Sequence, residues 1–256
     1  LRMILAVVAS VCLARAACAE EPSALPAADA LLRDVRDRLP REELRIAGDL
    51  EVRGRKGVVI GRMNVEALIA LGGDQPRARY TVRDALGGEI EELTVSRPAQ
   101  GGAPQLAYRR GDPPAPAAAP GIHEAIGNSD LTWADLALAF LDWEGGRTVG
   151  RETYKGQECF LVDLPPPAEA APDGPGRPYA RMRLWIHEAL RMVAKLEAYD
   201  AEERLVRRME IKALRRVNGR WMIKDMEVEG FPAVHKTRFR VRDVGGEFTY
   251  DGDGDD

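Results

Sequence analysis

Two hydrophobic periods alternate along this chain. Between residues 27 and 39, Leu31, Leu32, Val35 and Leu39 recur at helical spacing, with Arg33, Asp34, Arg36, Asp37 and Arg38 opposite them. The spacing predicts an amphipathic helix with Asp29 as its N-cap, stopped by Pro40. From Leu44 the period drops to two. Leu44, Ile46, Gly48, Leu50 and Val52 alternate with Arg45, Ala47, Asp49, Glu51 and Arg53, as in a strand with one buried face. Residues 58–71 predict a long strand, bulged around Gly61 where the alternation slips. Two more strands are predicted over 77–84 and 89–96, around a Gly87-Gly88 turn. The Gly/Ala/Pro-rich stretch 98–120 reads as a loop holding one short strand at 105–109.

A second helix is predicted over 132–141. Thr132 and Asp135 fit a capping box, and Trp133, Ala137, Phe140 and Leu141 share a face. Gly145-Gly146 closes it. Strand signals then follow in close succession: 147–154 and 157–164 around Lys155-Gly156, a Pro/Ala loop over 165–178, then 180–187 and 192–198. Residues 205–216 and 220–229 meet at Asn218-Gly219, a strong two-residue hairpin signal. A last strand sets Thr237, Phe239 and Val241 on one face and Lys236, Arg238, Arg240 and Arg242 on the other. Strands joined by turns this short predict antiparallel neighbours in a meander.

The N-terminus changes the setting. Arg2, an apolar run over 4–13 and Ala17-Cys18-Ala19 make the pattern of a secretory signal cleaved after Ala19. The run is shorter than the ~20 apolar residues that span a bilayer. Lipid anchoring at Cys18 is the weaker reading, because Arg15 stands where a lipobox takes an aliphatic residue. The expected division is a signal at 1–19, a single domain at 20–250 and a disordered acidic tail at 251–256, exported to the periplasm. Cleavage removes Arg2 and Arg15, leaving 35 basic against 41 acidic residues, a net charge of −6. That acidity argues against a nucleic-acid partner. Cys159 is then the one remaining cysteine. It forms no internal disulfide and reads as a buried strand thiol.

Catalytic chemistry finds little support. His123, His187 and His235 have no metal-ligand spacing, and Ser129 lacks the strand–turn–helix context of a nucleophile. A turn or cap role accounts better for Ser129-Asp130. Asp251-Gly252-Asp253-Gly254-Asp255-Asp256 imitates the start of a calcium loop but lacks the closing Glu and flanking helices. The expectation is a protein that is not an enzyme and carries no cofactor or metal. Arg204, Arg207, Arg208, Lys212, Arg215, Arg216 and Arg220 make one hairpin basic. It reads either as a dock for anionic headgroups or, more plainly, as a solvated face interleaved with Glu202, Glu203 and Glu210.

One motif and the strands after it carry a resemblance. Gly127-Asn128-Ser129-Asp130-Leu131-Thr132-Trp133-Ala134-Asp135-Leu136 resembles the Gly-x-Ser-Asp-x-Ser/Thr-aromatic-x-Asp-Leu segment of LolA-like outer membrane lipoprotein-sorting proteins. Tyr154-Lys155-Gly156-Gln157-Glu158-Cys159-Phe160-Leu161-Val162-Asp163-Leu164-Pro165 is similar to that family's strand pair ending in proline. Tyr179-Ala180-Arg181-Met182-Arg183-Leu184-Trp185-Ile186, Lys195-Leu196-Glu197-Ala198-Tyr199-Asp200 and Gly219-Arg220-Trp221-Met222-Ile223-Lys224-Asp225-Met226 follow in family order. The chain departs from the pattern in its Pro/Ala loops at 111–120 and 166–178 and in its acidic tail. The arginine that latches the lid in such carriers is left unassigned.

The resemblance implies a mainly β, α+β fold: a half-open antiparallel barrel, a curved meander sheet with an N-terminal helix and a short helical lid. It implies a periplasmic carrier that binds acyl chains of lipids or lipoproteins in an apolar concavity, with transient contact to a membrane surface. Trp133, Ala137, Phe140, Met182, Leu184, Ile186, Leu196, Met209, Trp221 and Phe239 are the expected lining residues. Ordinary core is the plainer reading of any one of them. The competing expectation is an envelope sensor or scaffold that uses the same fold to bind a protein. A large open cavity favours the carrier, a filled core the scaffold.

Overall fold

The computed structural model describes residues 24–72, 75–85, 88, 90–97, 105–167, 179–217, 219–232 and 235–245. The expected export signal, Gly87, Asn218, the acidic tail, and residues 98–104 and 168–178 of the two Pro/Ala loops lie outside them.

The first helix, α1, spans Ala28–Asp37 and buries Ala28, Leu31, Leu32 and Val35, the face its spacing predicts. Its N-cap is Ala27, without a side-chain hydrogen bond, and not Asp29. Asp29 falls in the first turn, where its charge meets the positive end of the helix. Strands β1 (Leu44–Arg53), β2 (Val59–Ala70), β3 (Arg77–Asp84), β4 (Ile90–Ser96), β5 (Gln105–Arg110) and β6 (Ala115–Pro116) follow. The short β6 lies in the stretch expected to be loop. Helix α2 (Trp133–Leu136) comes next. Then come β7 (Arg147–Tyr154), β8 (Gln157–Leu164), β9 (Arg181–His187), β10 (Val193–Tyr199), β11 (Leu205–Val217), β12 (Arg220–Gly230) and β13 (Lys236–Gly245).

Among the described residues all strands join one antiparallel sheet of 13, in the order β6-β5-β4-β3-β2-β1-β13-β12-β11-β10-β9-β8-β7. The chain meanders outward from β1 to β6, jumps to the far edge, and meanders back from β7 to β13, which pairs with β1. The sheet is open and mainly β in content, with its edges at β6 and β7. This is the expected half-open meander.

The β1–β13 seam depends on a small residue. A side chain at Gly48 would begin 2.7 Å from both the Arg240 carbonyl oxygen and the Phe239 ring, so glycine lets Phe239 lie across β1. The slip expected around Gly61 is present: pairing passes from Val52–Gly61 to Arg53–Val59, leaving Ile60 as the extra residue.

Strand alternation gives the sheet two unlike faces. The inner face joins α1 in one apolar core that runs from Val65, Tyr80 and Leu93 to Leu164, Leu184, Leu196 and Met209. The outer face of the later strands is a charge ladder. Arg183 grips Asp163 at 2.6 and 2.7 Å, and Arg208 and Lys195 each reach Glu197 at 2.9 Å. Lys212 meets Glu210 at 3.0 Å, and Lys236 meets Glu227 at 2.9 Å. Arg204, Arg208 and Lys212 of the hairpin thus interleave with acids, while Arg207 points inward.

Candidate functional site

Because β6 and β7 lie at opposite edges, the chain between them crosses the inner face. This crossover carries the Gly127–Leu136 motif. Its first part folds back on itself. Ala125 bridges Thr132, the Ile126 N–H donates to the Leu131 carbonyl at 2.8 Å, and the Leu131 N–H donates to Ser129 Oγ at 3.2 Å. Gly127 has φ +55, and a side chain there would begin 2.9 Å from Met63 Sδ, so the turn needs glycine on both counts.

Polar clasps hold the crossover to the elements around it. Asp130 is buried. Its N–H donates to Thr237 Oγ1 at 2.7 Å, and its Oδ2 accepts from Thr237 Oγ1 at 3.0 Å and contacts His235 Nδ1 at 3.0 Å, both on the β13 side. Asp135 completes the capping box predicted with Thr132: its Oδ2 accepts the Thr132 N–H and hydroxyl, each at 2.7 Å. The same oxygen accepts from Arg207 of β11, and both side chains are nearly buried. Tyr80 of β3 donates its hydroxyl to the Leu136 carbonyl at 2.6 Å, and Arg36 of α1 donates to the Leu141 carbonyl. Arg97 donates to Asp142 at 3.0 Å. Burial raises the Asp142 carboxyl above its usual range against the pull of Arg97.

The helix expected over 132–141 is broken. Helix α2 ends at Leu136, Leu138 takes a left-handed conformation with φ 50, and a separate 3-10 turn covers Ala139–Asp142. A left-handed leucine is unfavourable alone and persists where its surroundings impose it. Here the Tyr80 bond to Leu136 and the Arg36 bond to Leu141 fix the chain on both sides. The apolar face survives the break: Trp133 is 1% exposed and Phe140 3%. Trp133 meets Tyr108 edge-on, with ring centroids 6.2 Å apart.

Beside the clasps lies an aromatic corner. Tyr179 hydrogen-bonds His123 Nδ1 at 3.2 Å and packs near Trp143. Burial pushes the His123 pKa down and the Tyr179 pKa up. Cys159 is fully buried in β8, where burial first and nearby glutamates second lift its thiol to about 11. It is no nucleophile in this state.

Of the residues expected to line a concavity, Trp133, Ala137, Phe140, Met182, Leu184, Ile186, Leu196 and Met209 lie together in the inner-face core. Phe239 is half-buried against its margin. Trp221 is not brought to the group. It stands 47% exposed near the β11–β12 turn, opposite Arg216. The crossover packs its apolar side chains against the inner face. A cleft beside Ala137, bounded by Leu71, Pro76, Arg77, Ala78, Val95 and Arg97, has room for about one water molecule.

Sequence reasoning missed Arg207, Tyr80, Arg36, His235 and Thr237 as holders of the crossover. A signal existed for Arg207. It is in phase with Met209 and Ile211, and an arginine on an apolar strand face calls for a buried acid.

The open meander sheet with a clasped crossover over its apolar face defines a LolA-like fold. A family model described as an uncharacterized protein matches residues 118–250, more than half of the chain, and the chain belongs to that family. Among solved structures, a DUF1329 family protein from Desulfovibrio piger is similar at TM-score 0.69 and 16% identity, over 87% of this chain and 91% of that one. A domain provisionally assigned as an outer membrane lipoprotein-sorting protein from Vibrio parahaemolyticus gives TM-score 0.66 and 13% identity, over 88% and 94%. A LolA superfamily protein from Nitrosomonas europaea gives 0.60 and 11%, over 86% and 93%. At these identities the likeness is one of fold. No curated protein matches the chain.

Proposed function

We propose that this protein is a periplasmic carrier of acyl chains, belonging to lipids or lipoproteins, and that it works without catalysis. The crossover is the placeholder for the cargo. The observation that carries this reading is the contrast between the two sides of the contact. The sheet offers a continuous apolar face through Met182, Leu184, Ile186, Leu196 and Met209. The crossover meets it with Trp133, Ala137 and Phe140 but consists of a one-turn helix, a left-handed break and a 3-10 turn. Such pieces have little stability of their own and depend on the clasps. An acyl chain stabilises its site by about 0.8 kcal/mol per buried CH₂, so a long chain can match the contacts that the crossover gives up. The Lol-type names of similar structures support the same reading, as does the export signal expected at the N-terminus.

The test is native mass spectrometry of the exported form, expected to begin at Glu20, isolated without detergent, together with uptake of a fluorescent fatty acid. Co-purifying lipid or saturable uptake is the expected result. A protein that is consistently empty and takes up nothing overturns the carrier reading.

One observation favours a second reading, the envelope scaffold or sensor. The crossover is seated in the inner-face core, with Trp133 1% and Phe140 3% exposed. Recovery of one stoichiometric protein partner and no lipid would establish it in place of the carrier.

A further inference from the structure

The hairpin between β1 and β2 projects from the sheet. On one side the last rung to β3 is Met63–Asp84, and on the other the pairing to β13 ends at Arg53–Lys236. The Ala85 N–H still donates to the Arg62 carbonyl at 3.4 Å, so residues 59–61 run past that last bond by about 10 Å, at roughly 3.3 Å per residue. At the tip Val58 is 60% exposed and Ile60 57%, with Val59 exposed between them. Three consecutive aliphatic side chains in water at the end of a projecting hairpin are not explained by the core of this protein. Arg55 and Lys56, both exposed, precede them across Gly57. Among the described residues neither has an ion-pair partner, whereas neighbouring Arg53 is held by Glu51. A net-acidic protein thus raises an uncompensated positive charge beside its exposed aliphatic run.

We infer that this tip is a docking finger for an anionic phospholipid bilayer. Val58, Val59 and Ile60 enter the interfacial layer while Arg55 and Lys56 lie among the phosphate headgroups. Apolar side chains and basic residues cooperate in this way at membrane surfaces, the first through buried area and the second through the negative surface potential. The tip rises from the rim that also holds the start of the crossover motif. A side chain at Gly61 would meet the Asn128 amide at 2.9 Å, and the Gly127 turn rests on Met63. Docking would therefore bring the Asp130 end of the crossover toward the lipid surface. It does not require that acyl cargo be bound, so it goes beyond the carrier reading.

The experiment is co-sedimentation of the exported form with vesicles of phosphatidylcholine alone and of phosphatidylcholine mixed with phosphatidylglycerol. Two variants accompany the parent: Val58→Ser/Val59→Ser/Ile60→Ser and Arg55→Ala/Lys56→Ala. All are confirmed as folded by circular dichroism, since the substituted side chains are exposed. The parent is expected to bind the mixed vesicles. The serine variant is expected to lose at least about tenfold in affinity for them. The alanine variant is expected to lose about thirtyfold, or about fivefold for each charge removed. Its residual binding should match that of the parent to neutral vesicles. A parent that stays in the supernatant, or variants that sediment as the parent does, would overturn the inference. A dimer seen by sedimentation velocity and abolished by the serine variant would also overturn it, assigning the tip to a second copy of the chain. Fatty-acid uptake from solution, measured on the same samples, reports the carrier reading separately, so either reading can fail while the other stands.

Discussion

Asp135 uses one carboxylate twice: it caps α2 through Thr132 and receives Arg207 from β11. The arrangement is exposed to loss on one side. Without Arg207, Asp135 remains buried among apolar neighbours with only the Thr132 donors. Breaking a buried pair at one partner typically costs 3–5 kcal/mol. Because Thr132 still serves the carboxylate, Arg207→Met should destabilise the fold by about 3 kcal/mol, the low end of that range. The urea midpoint measures it. Asp135→Asn should cost less, because an amide oxygen can still cap the helix. The double variant should be less damaged than the two single variants together, since the residues share one interaction. Additive effects would show that the pair is not coupled. At this scale the capping box was legible, because both of its members lie within four residues. The arginine was not, because its partner is distant in sequence and only strand phase pointed to it.

At the scale of the element, the crossover decides what the inner face can do. The sequence showed its apolar side through Trp133, Ala137, Phe140 and Leu141, all of which are buried. It did not show the break at Leu138, because hydrogen bonds from Tyr80 and Arg36 impose that conformation from other elements. A helix of one turn has too few internal bonds to hold its position, so its seat on the sheet rests on side chains. Phe140→Asp should therefore free the crossover, since it buries a charge without a partner. The expected result is a less stable empty protein that keeps its strand signal in circular dichroism and binds fatty acid more weakly, because Phe140 is also an expected contact of the cargo. Unchanged uptake with an intact fold would mean that this element does not cover the binding face.

For the whole molecule, every strand but the two-residue β6 was legible from period-two alternation, and turn positions from glycines and short polar stretches. The sheet order was not. The pairing of β1 with β13 joins the two ends of the domain, and nothing local in either strand marks the other. Only once that seam is known does the chain between β6 and β7 become a crossover. The outer charge ladder gives the assembled sheet a pH dependence. Burial alone would raise the Glu210 pKa, but hydrogen bonds from Tyr154 and Lys212 outweigh it and bring the carboxyl to about 2 from its ordinary 4.5. Glu197 is likewise lowered, the bonds from Tyr199, Lys195 and Arg208 overcoming its burial. Carboxyls lowered in the folded state bind protons more readily when unfolded, so their contribution is present above the ordinary value of about 4.5 and drains as pH falls toward about 2. The urea midpoint should begin to slip below about pH 6.5, where His123, its pKa lowered by burial, takes up a proton more readily when unfolded. It should then fall more steeply below about pH 5 as the ladder protonates. Glu210→Gln should flatten the fall. A midpoint indifferent to acid would show that the ladder contributes nothing to stability.

The central claim is that the crossover and an acyl chain compete for one apolar face. Hydrogen exchange of the exported form, with and without saturating fatty acid, tests it most directly, because each backbone amide reports separately. The account predicts that fatty acid speeds exchange at the amides of Leu136, Ala137, Leu138 and Leu141 while slowing it or leaving it unchanged in β9, β10 and β11. Bound fatty acid that leaves the crossover as protected as before, or protects it further, would contradict the account.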